Sequence, residues 1–431
     1  MLLKHLRSLL VKDSKQPQAN SFVMDSGMPV WVARQPVFTA DAKIWGYELL
    51  SRVCPENICR PSADAVVATS SVIFDGYEMV APALKLHERV LINYSAEMLL
   101  DDVPTMLPAD VCAVEVLEDV SPSPEIIHAL STLKAAGYFI ALDDYVGQQS
   151  AQPLLHLADL VKVDVLGRSP EEIARDVSLI KEHGCTTLAE KVEDQAMFEL
   201  CKKLGFDLFQ GFFFCKPQLL EKQKLTSSES IKTRLLARLA AKDYNMTDIA
   251  EIIQVDAALT TRLLRHLNSA YYALPSRVSS VQQAATMLGQ RKLHQWLCVA
   301  LLSEMDSFPL SRHVAMLAAQ RGKFLELVCR RGRCSLPPSE LFMLGLFSLL
   351  AVLLSVPVSV MTENLPLDAD LLNALQRSDS PLLPWLLFAE AYERGNWQVV
   401  AALAKQLGIN GEELSENYSE ALVWVKEVFA E

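Results

Sequence analysis

The sequence predicts two domains of different fold class: a TIM-like α/β barrel followed by an all-α helical bundle. The barrel is predicted from eight short β-rich runs that alternate with longer amphipathic stretches between residues 30 and 217. Strands that alternate with helices pair in parallel, and so many in so short a length favour closure into a barrel. The bundle is predicted because residues 231–431 show only helical periodicity. The β-rich runs cover residues 30–38, 45–50, 90–95, 112–117, 138–143, 160–165, 186–192 and 207–214.

The composition is that of a folded protein with room for two or three domains. Of its 431 residues, 51% are apolar and 21% are charged. The net charge of −12 argues against broad nucleic-acid binding, which requires a basic face, so no nucleic-acid partner is expected. The nine cysteines form neither a paired framework nor a set of zinc ligands, which is typical of reduced thiols in a cytoplasmic protein.

Two apolar segments bear on membrane association. Residues 1–12 mix leucines with basic residues but lack the long apolar centre and the cleavage site of a secretory signal. Residues 341–361 carry no charge and have the length of a spanning helix, but Pro357 interrupts them and no basic residue flanks them. We therefore expect a short amphipathic helix in the first case, a buried core helix in the second, and no membrane span.

Nearly every predicted strand is apolar until its end and then supplies one acid, amide or lysine. In an α/β barrel the carboxyl ends of the strands open on one face. A charged group on a helix-covered strand costs several kcal/mol unless it reaches a partner or that face. One such residue alone is better explained as a strand cap or a surface salt bridge, whereas the whole set predicts one site. The set consists of Glu48, Asn93, Glu115, Asp143, Lys162, Glu190 and Gln210.

A cluster of carboxylate and amide oxygens repels itself unless a cation lies within it. Mg²⁺ and Mn²⁺ are the divalent ions that prefer such ligands. An ion at this rim can activate a water molecule and neutralise a phosphodiester, with Lys162 as a further positive charge. The pattern therefore indicates metal-dependent phosphodiester chemistry.

The polar strand ends belong to longer motifs that occur in a fixed order. Over residues 30–217 these motifs resemble the EAL family of cyclic-di-GMP phosphodiesterases, with Leu49 in place of the alanine in the family's name. Any one motif is weak, but the ordered set is specific. The motifs are Gln35-Pro36-Val37, Glu48-Leu-Leu-Ser-Arg52, Asn93, Glu115-Val-Leu-Glu118, Asp143-Asp144, Lys162-Val-Asp164, Glu190-Lys-Val-Glu193 and Gln210-Gly211.

The resemblance implies a role for each matching residue. Glu48, Asn93, Glu115 and Asp143 would bind a first metal ion, Asp144 and Glu190 would bind a second ion or orient the attacking water, and Lys162 would contact that water. Arg52 would hold a ligand phosphate with its planar guanidinium, and Gln35 and Gln210 would line the nucleotide pocket.

One segment departs from the family. Active members follow Asp-Asp with a Phe-Gly-Thr-Gly-Tyr-Ser loop that closes over the metals and is anchored by the acid at Glu118. Here the loop reads Tyr-Val-Gly-Gln-Gln-Ser over residues 145–150, so glycines that permit unusual backbone angles are lost. This variant resembles the EAL domains that are fused to an HDOD domain, many of which are regarded as degenerate. Binding of metal and nucleotide is therefore better supported than turnover.

The second half carries the capping residues and motifs of a helical domain. Asp256 and Ser280 stand where helices begin, and Gly289 where one ends. The motifs resemble the HDOD family, which is similar in fold to HD phosphohydrolases but lacks their metal-binding His-Asp pair. No His-Asp dipeptide occurs in the chain, so a domain that binds or regulates is implied. The motifs include Arg265-His266-Leu267-Asn268-Ser269-Ala270, Leu274-Pro275 and Leu344-Gly345-Leu346-Phe347-Ser348.

These features predict four segments: an N-terminal extension (1–28), an EAL-like barrel (29–218), a linker (219–230) and an HDOD domain with C-terminal helices (231–431). Three functions stay open. The barrel hydrolyses cyclic-di-GMP with Mg²⁺ or Mn²⁺ under HDOD control, or it senses cyclic-di-GMP without cleavage, or both domains act as a protein-interaction scaffold. A protein partner of the HDOD domain and a homodimer are expected from the resemblance.

Overall fold

The computed structural model describes residues 30–53, 73, 76–147, 152–213, 227–240, 245–268, 278–305, 310–332, 334–363 and 367–429. The predicted N-terminal extension, residues 219–226 of the predicted linker, and residues 269–277 of the HDOD motifs lie outside this range. The chain forms two compact units. One contains the residues up to Phe213 together with Glu390–Tyr418, and the other contains Phe214–Ala389 together with Ser419–Glu431.

The first unit contains a closed barrel of eight strands in sequential order, which confirms the predicted fold class. Strands β2 to β8 pair in parallel, but β1 is antiparallel to both β2 and β8. Only residues 40–43 separate β1 from β2, and this is too short for a crossover helix, so the two strands form a hairpin. The parallel pairing expected from alternation is therefore wrong at β1. The strands are β1 Val30–Thr39, β2 Ile44–Val53, β3 Arg89–Tyr94, β4 Cys112–Val116, β5 Phe139–Leu142, β6 Leu160–Asp164, β7 Thr186–Glu190 and β8 Leu208–Gln210.

Helices between the strands cover the outside of the barrel, and apolar side chains fill its interior. Most of these helices begin at a side-chain cap, as at Ser169, where a full capping box with Glu172 starts α4. One buried layer of apolar side chains fills the barrel interior. It consists of Val37, Leu91, Ala113, Ala141, Leu160, Leu188 and Leu208. The helices are α1 Ala96–Leu100, α2 Pro124–Ala135, α3 Gln152–Leu155, α4 Pro170–Glu182 and α5 Gln195–Leu204.

A helical segment from the C-terminal part of the chain packs against β1. Strand β1 pairs with β8 only from Val37 to Thr39, so the earlier half of this edge lacks a strand neighbour. The backbone N–H of Val32 donates to Ser415 Oγ at 2.9 Å, and the Trp31 indole donates to the Gly411 carbonyl at 2.9 Å. These contacts satisfy polar groups that burial would otherwise leave unpaired. Residues 390–418 thus complete the barrel unit, although the sequence-based segments group them with the helical domain.

The second unit is helical, and two of its helices, α10 (Ser311–Arg331) and α11 (Pro338–Phe347), approach closely at two glycines. A Cβ atom at Gly345 would lie 2.3 Å from the backbone nitrogen of Gly322, so only glycine allows α10 and α11 to cross here. The remaining bounds are α6 Ser227–Ala240, α7 Met246–Val255, α8 Ala257–Leu267, α9 Val281–Ser303, α10 Ser311–Arg331, α11 Pro338–Phe347, α12 Leu350–Leu353, α13 Val358–Glu363, α14 Ala369–Leu375, α15 Leu383–Glu393, α16 Trp397–Leu407 and α17 Leu414–Val428.

The uncharged run 341–361 forms three short helices, α11 to α13, in place of the single helix that the sequence suggests. A turn at Ser348, whose hydroxyl donates to the Gly345 carbonyl, ends α11, and Pro357 precedes α13. Most of the run is buried, which confirms the prediction of a core segment. Among the described residues, no helix combines the length and apolar character needed to cross a bilayer.

The predicted helix caps are also present. Asp256 accepts hydrogen bonds from the backbone of Ala258 and Leu259, and Ser280 accepts one from Gln283. Gly289 has a φ of +73°, which breaks the helical geometry within α9.

Candidate functional site

The polar residues at the strand ends meet at one rim of the barrel. The strand register brings Asn93 opposite Glu115 on β3 and β4, and Gln35 opposite Glu48 on β1 and β2. Asp143 follows directly after β5, and Glu190 and Gln210 are the last residues of β7 and β8. This is the rim where an α/β barrel carries its functional groups. The structure therefore brings the predicted strand-end residues together.

Lys162 lies at the centre of this rim and contacts four carboxylates. Its Nζ is 2.8 Å from Glu190 Oε1, 2.9 Å from Asp143 Oδ1 and 3.4 Å from Glu48 Oε2, and it also contacts Glu115 Oε1. The lysine is only 1% exposed and Glu115 is fully buried. Four acidic groups thus share one ammonium, which leaves a large excess of potential negative charge in a buried site.

This charge imbalance shifts the pKa values of the site. Burial raises the pKa of Glu190 to about 8, although the positive charge of Lys162 acts in the opposite direction. Burial likewise raises the pKa of Glu115 well above its usual range. Burial alone would raise the pKa of Asp143 too, but the charge and hydrogen bond of Lys162 outweigh it and lower that pKa. Without a further cation, some of these carboxyl groups therefore hold protons near neutral pH.

Among the four residues expected to bind a first metal ion, two buried oxygens have no hydrogen-bond partner in the described part of the chain. These are Asn93 Oδ1 and Glu115 Oε2, which belong to residues paired across β3 and β4. The amide nitrogens of Asn93 and Gln210 donate to the two oxygens of Glu48, at 3.3 Å and 2.5 Å. A buried acceptor without a partner costs about 1–3 kcal/mol. Glu48, Asn93, Glu115 and Asp143 thus offer the carboxylate and amide oxygens that a hard divalent ion prefers, and their role as metal ligands stays a prediction.

A second carboxylate cluster lies beside the first and shares Asp143 with it. One oxygen each from Glu118, Asp143 and Asp144 lie within 4.8 Å of one another. Burial raises the pKa of Asp144, and the charge of Asp143 raises it further; burial also raises the pKa of Glu118. The structure therefore places Glu118 with the acids, while its predicted role in anchoring the loop stays a prediction because residues 148–151 lie outside the described range.

The residues expected to contact a ligand surround the same rim. Gln210 Nε2 donates to Gln35 Oε1 at 3.0 Å, and Gln210 Oε1 is buried with no partner among the described residues. Arg52 is exposed and lies four residues beyond Glu48 on β2, so both side chains point to the same side of the strand. Arg52 is thus accessible to solvent, and its contact with a ligand phosphate stays a prediction.

One ion pair at the rim was not assigned a role by sequence reasoning. Lys191 Nζ lies 2.5 Å from Asp164 Oδ2 and 3.8 Å from Asp144 Oδ1. Asp164 pairs with Glu190 in the register of β6 and β7, which places it at the rim. Both residues occur within the quoted motifs, and the alternation Lys162-Val-Asp164 is the signal that places Asp164 beside Lys162.

The altered loop begins with a buried tyrosine. Tyr145 is 1% exposed, its backbone N–H donates to the Lys162 carbonyl at 3.0 Å, and its hydroxyl has no partner in the described part of the chain. Val146 is 59% exposed. Gly147, which stands where the family's loop has threonine, has a φ of +76°, and a Cβ atom there would lie 2.7 Å from Asp176 Oδ1, so its backbone conformation favours glycine.

The described part of the helical unit contains no group of three acidic, histidine or cysteine side chains close enough to hold an ion. His294 is buried and its Nε2 lies 2.8 Å from the Leu239 carbonyl. Burial lowers the pKa of His266 to about 4. Both histidines therefore act as packing residues.

Comparisons with known proteins match both halves of the chain. The model of the EAL domain matches residues 105–217, and that of the HDOD domain matches residues 225–361. The chain is 28% identical to the cyclic di-GMP phosphodiesterase CdgJ of Vibrio cholerae over 94% of both chains. It is 29% identical to YuxH of Bacillus subtilis over 92% of this chain and 98% of that protein.

Among solved structures, a standalone EAL protein from Vibrio cholerae O395 with bound c-di-GMP is 23% identical to this chain. That match covers 44% of this chain and 92% of the other, with a TM-score of 0.36. The two family models match successive parts of the chain, separated by residues 218–224, and both relatives extend over nearly its full length. The chain therefore carries a segment that matches the EAL domain, followed by a segment that matches the HDOD domain.

Proposed function

We propose that the chain is a cyclic-di-GMP signalling protein whose barrel binds the dinucleotide with Mg²⁺ or Mn²⁺ and hydrolyses it to the linear form. The observation that carries this proposal is the convergence of four carboxylates and Asn93 around the buried Lys162, with Asn93 Oδ1 and Glu115 Oε2 left without partners. The relationship to CdgJ over nearly the whole chain supports the same activity.

The carboxylates and the amide would bind the metal. Glu48, Asn93, Glu115 and Asp143 are the ligands proposed for a first ion, and Asp143, Asp144 and Glu118 surround the position of a second. A bound divalent ion would polarise the phosphodiester and lower the pKa of a water molecule. The chemistry of the donor set, all oxygens, supports Mg²⁺ or Mn²⁺.

The remaining residues would bind and orient the substrate and move protons. The carboxylate form of Glu190 would orient the attacking water and accept a proton from it. Lys162, held by Glu190 and Asp143, would donate a hydrogen bond to the attacking water. Arg52 would bind a phosphate.

Gln35 and Gln210 are proposed to contact a guanine base. Their mutual hydrogen bond leaves Gln210 Oε1 as an unused acceptor, which suits a base N–H donor.

The helical domain is proposed to bind a protein partner and to transmit the state of the barrel. Its described part lacks a metal-compatible cluster, which favours binding over catalysis. We also propose that the protein pairs as a homodimer and works in the cytoplasm, the latter because none of its cysteines belongs to a paired framework. The domain boundaries 29–218 for the barrel and 231–431 for the helical domain, with 219–230 as linker, stand as proposals, with 390–418 added to the barrel unit.

A sensor without turnover is the second candidate, and the altered loop favours it. Tyr145 and Val146 replace residues of the family's loop beside the metal ligands, and Val146 is largely exposed. If this loop no longer closes, the same rim would still bind cyclic-di-GMP but would not orient water.

The test is incubation of the full chain with cyclic-di-GMP and Mg²⁺ or Mn²⁺, with measurement of both retained ligand and linear product. Glu48→Ala removes a rim carboxylate, and Glu182→Ala, at the exposed end of α4, is the matched control. Product that is lost only in Glu48→Ala establishes a phosphodiesterase. Tight binding without product makes the protein a sensor, and the absence of both leaves a protein-interaction scaffold.

A further inference from the structure

Lys191 provides a positive charge beside the second carboxylate cluster. Its ammonium contacts Asp164 at 2.5 Å and lies 3.8 Å from Asp144, which itself belongs to the cluster with Glu118 and Asp143. The chain thus supplies its own cation next to the acids that are proposed to hold a second ion.

The backbone fixes the direction of this lysine. Glu190 ends β7 and contacts Lys162. The next residue, Lys191, has a φ of +53°, and its side chain contacts Asp164 and Asp144 instead. The next residue, Val192, is fully buried, and its N–H donates to the Gln210 carbonyl at 3.0 Å. Because ordered residues hold the backbone on both sides, the side chain starts from a defined position.

The partner acid is also held in place. Asp164 Oδ1 accepts a hydrogen bond from the backbone of Leu166 at 2.9 Å, which leaves Oδ2 for Lys191. An ammonium and a divalent ion that compete for the same carboxylates repel each other. The Lys191 side chain is 45% exposed, so solvent screens this repulsion and the lysine weakens a second ion without excluding it.

We propose that Lys191 substitutes for the second metal ion: it neutralises Asp144 and Asp164, so that the rim binds one divalent ion tightly and a second one weakly. This inference depends on the metal centre in the proposed function. In this proposal Lys191 is a positioning residue that sets the number of metal ions bound at the rim, and it acts through Asp144.

The experiment is a titration of the full, metal-free chain with Mn²⁺, in which calorimetry gives the affinities and electron paramagnetic resonance counts the bound ions. We expect the wild type to bind one ion at least tenfold more tightly than a second. Lys191→Met should strengthen the second ion about tenfold, whereas Lys191→Arg, which keeps the charge, should behave like the wild type.

Lys181→Met is the matched control. Lys181 forms an ion pair of similar exposure with Asp207, at 3.7 Å, at the end of the barrel where β8 begins. This control removes the same charge and should leave both Mn²⁺ affinities unchanged, and thermal unfolding of every variant verifies that it is folded.

Three outcomes overturn the inference, and the first two of them leave the proposed metal centre intact. If the wild type binds two ions with equal affinity, or Lys191→Met still binds the second ion weakly, the role of Lys191 is refuted while the metal centre stands. If the wild type binds no Mn²⁺, the metal centre in the proposed function fails and the inference fails with it.

Discussion

Replacing Lys162 by methionine tests whether one buried ammonium holds the barrel rim together. The variant keeps most of the side-chain volume but leaves Glu48, Glu115, Asp143 and Glu190 without their shared cation. Removing one partner of a buried ion pair costs about 3–5 kcal/mol, because the remaining charge is buried and uncompensated. We expect the free energy of unfolding of the barrel to fall by this amount at pH 8.

The loss should depend on pH. In the variant, the pKa values of the buried carboxyl groups rise further, so the folded state binds more protons than the unfolded state over the range from about pH 4.5 to 8. Stability then falls as pH rises through this range, and at pH 5 most of the loss should disappear because the acids are neutral. Added Mn²⁺ should restore part of the stability at pH 8, since it replaces the missing cation.

Hydrogen exchange along a urea series measures this effect, because peptides that cover β4 to β7 report the barrel separately from the helical unit. Lys181→Met is the control and should cost less than about 1 kcal/mol, as expected for an exposed pair. A loss below about 1 kcal/mol for Lys162→Met, or an equal loss at pH 5 and pH 8, would refute the reasoning.

Three further predictions address other parts of the molecule. In the metal-free protein, the pKa of Glu190 is raised to about 8, so the stability that this group contributes is lost as the pH rises from about 4.5 to about 8. Glu190→Gln should flatten this part of the plot of unfolding free energy against pH. An unchanged pH dependence in urea titrations would contradict the assignment. Ser415→Ala leaves the buried N–H of Val32 without its acceptor and should lower the stability of the barrel by about 1–3 kcal/mol, measured by exchange of the β1 amides; unaltered exchange there would show that the contact is dispensable. Gly345→Ala forces a methyl group against Gly322 and should destabilise the helical unit by about 3 kcal/mol or more. Thermal unfolding followed by circular dichroism measures this loss, and a melting curve equal to that of the wild type would rule out the close crossing.

The rim could be predicted from the sequence because barrel geometry alone brings the ends of strands together. The identity of Glu48, Asn93, Glu115 and Glu190 at those ends was sufficient to place them at one site. Their hydrogen bonds were not predictable, because contacts such as Lys162 with Glu48 join residues on non-adjacent strands and depend on side-chain conformation. For the same reason, the sequence predicted that Lys162 contacts the attacking water but did not predict its contacts with four carboxylates.

The fold was harder to predict where one pattern has two interpretations. Alternation of strands and helices implied parallel pairing throughout, yet the short connection over residues 40–43 dictates an antiparallel hairpin at β1. In the run 341–361, Pro357 signalled one break, whereas the turn at Ser348 carries no strong helix-breaking residue. The apolar faces of residues 390–418 indicated helices, but an amphipathic pattern does not specify which surface it covers.

The packing of residues 390–418 on β1 has a consequence for how the protein is made. Strand β1 is synthesised well before its partner, because the hydroxyl that receives its Val32 N–H belongs to Ser415, 383 residues later. Contacts of such long sequence separation form late, after the intervening chain has been ordered. The barrel therefore reaches its final state only after residues 390–418 have been synthesised. A product that stops at the end of the HDOD match, at residue 361, would contain every metal-ligand candidate and still carry an unfinished barrel. Completion of the barrel is in this way tied to synthesis of a helical segment that follows the HDOD match.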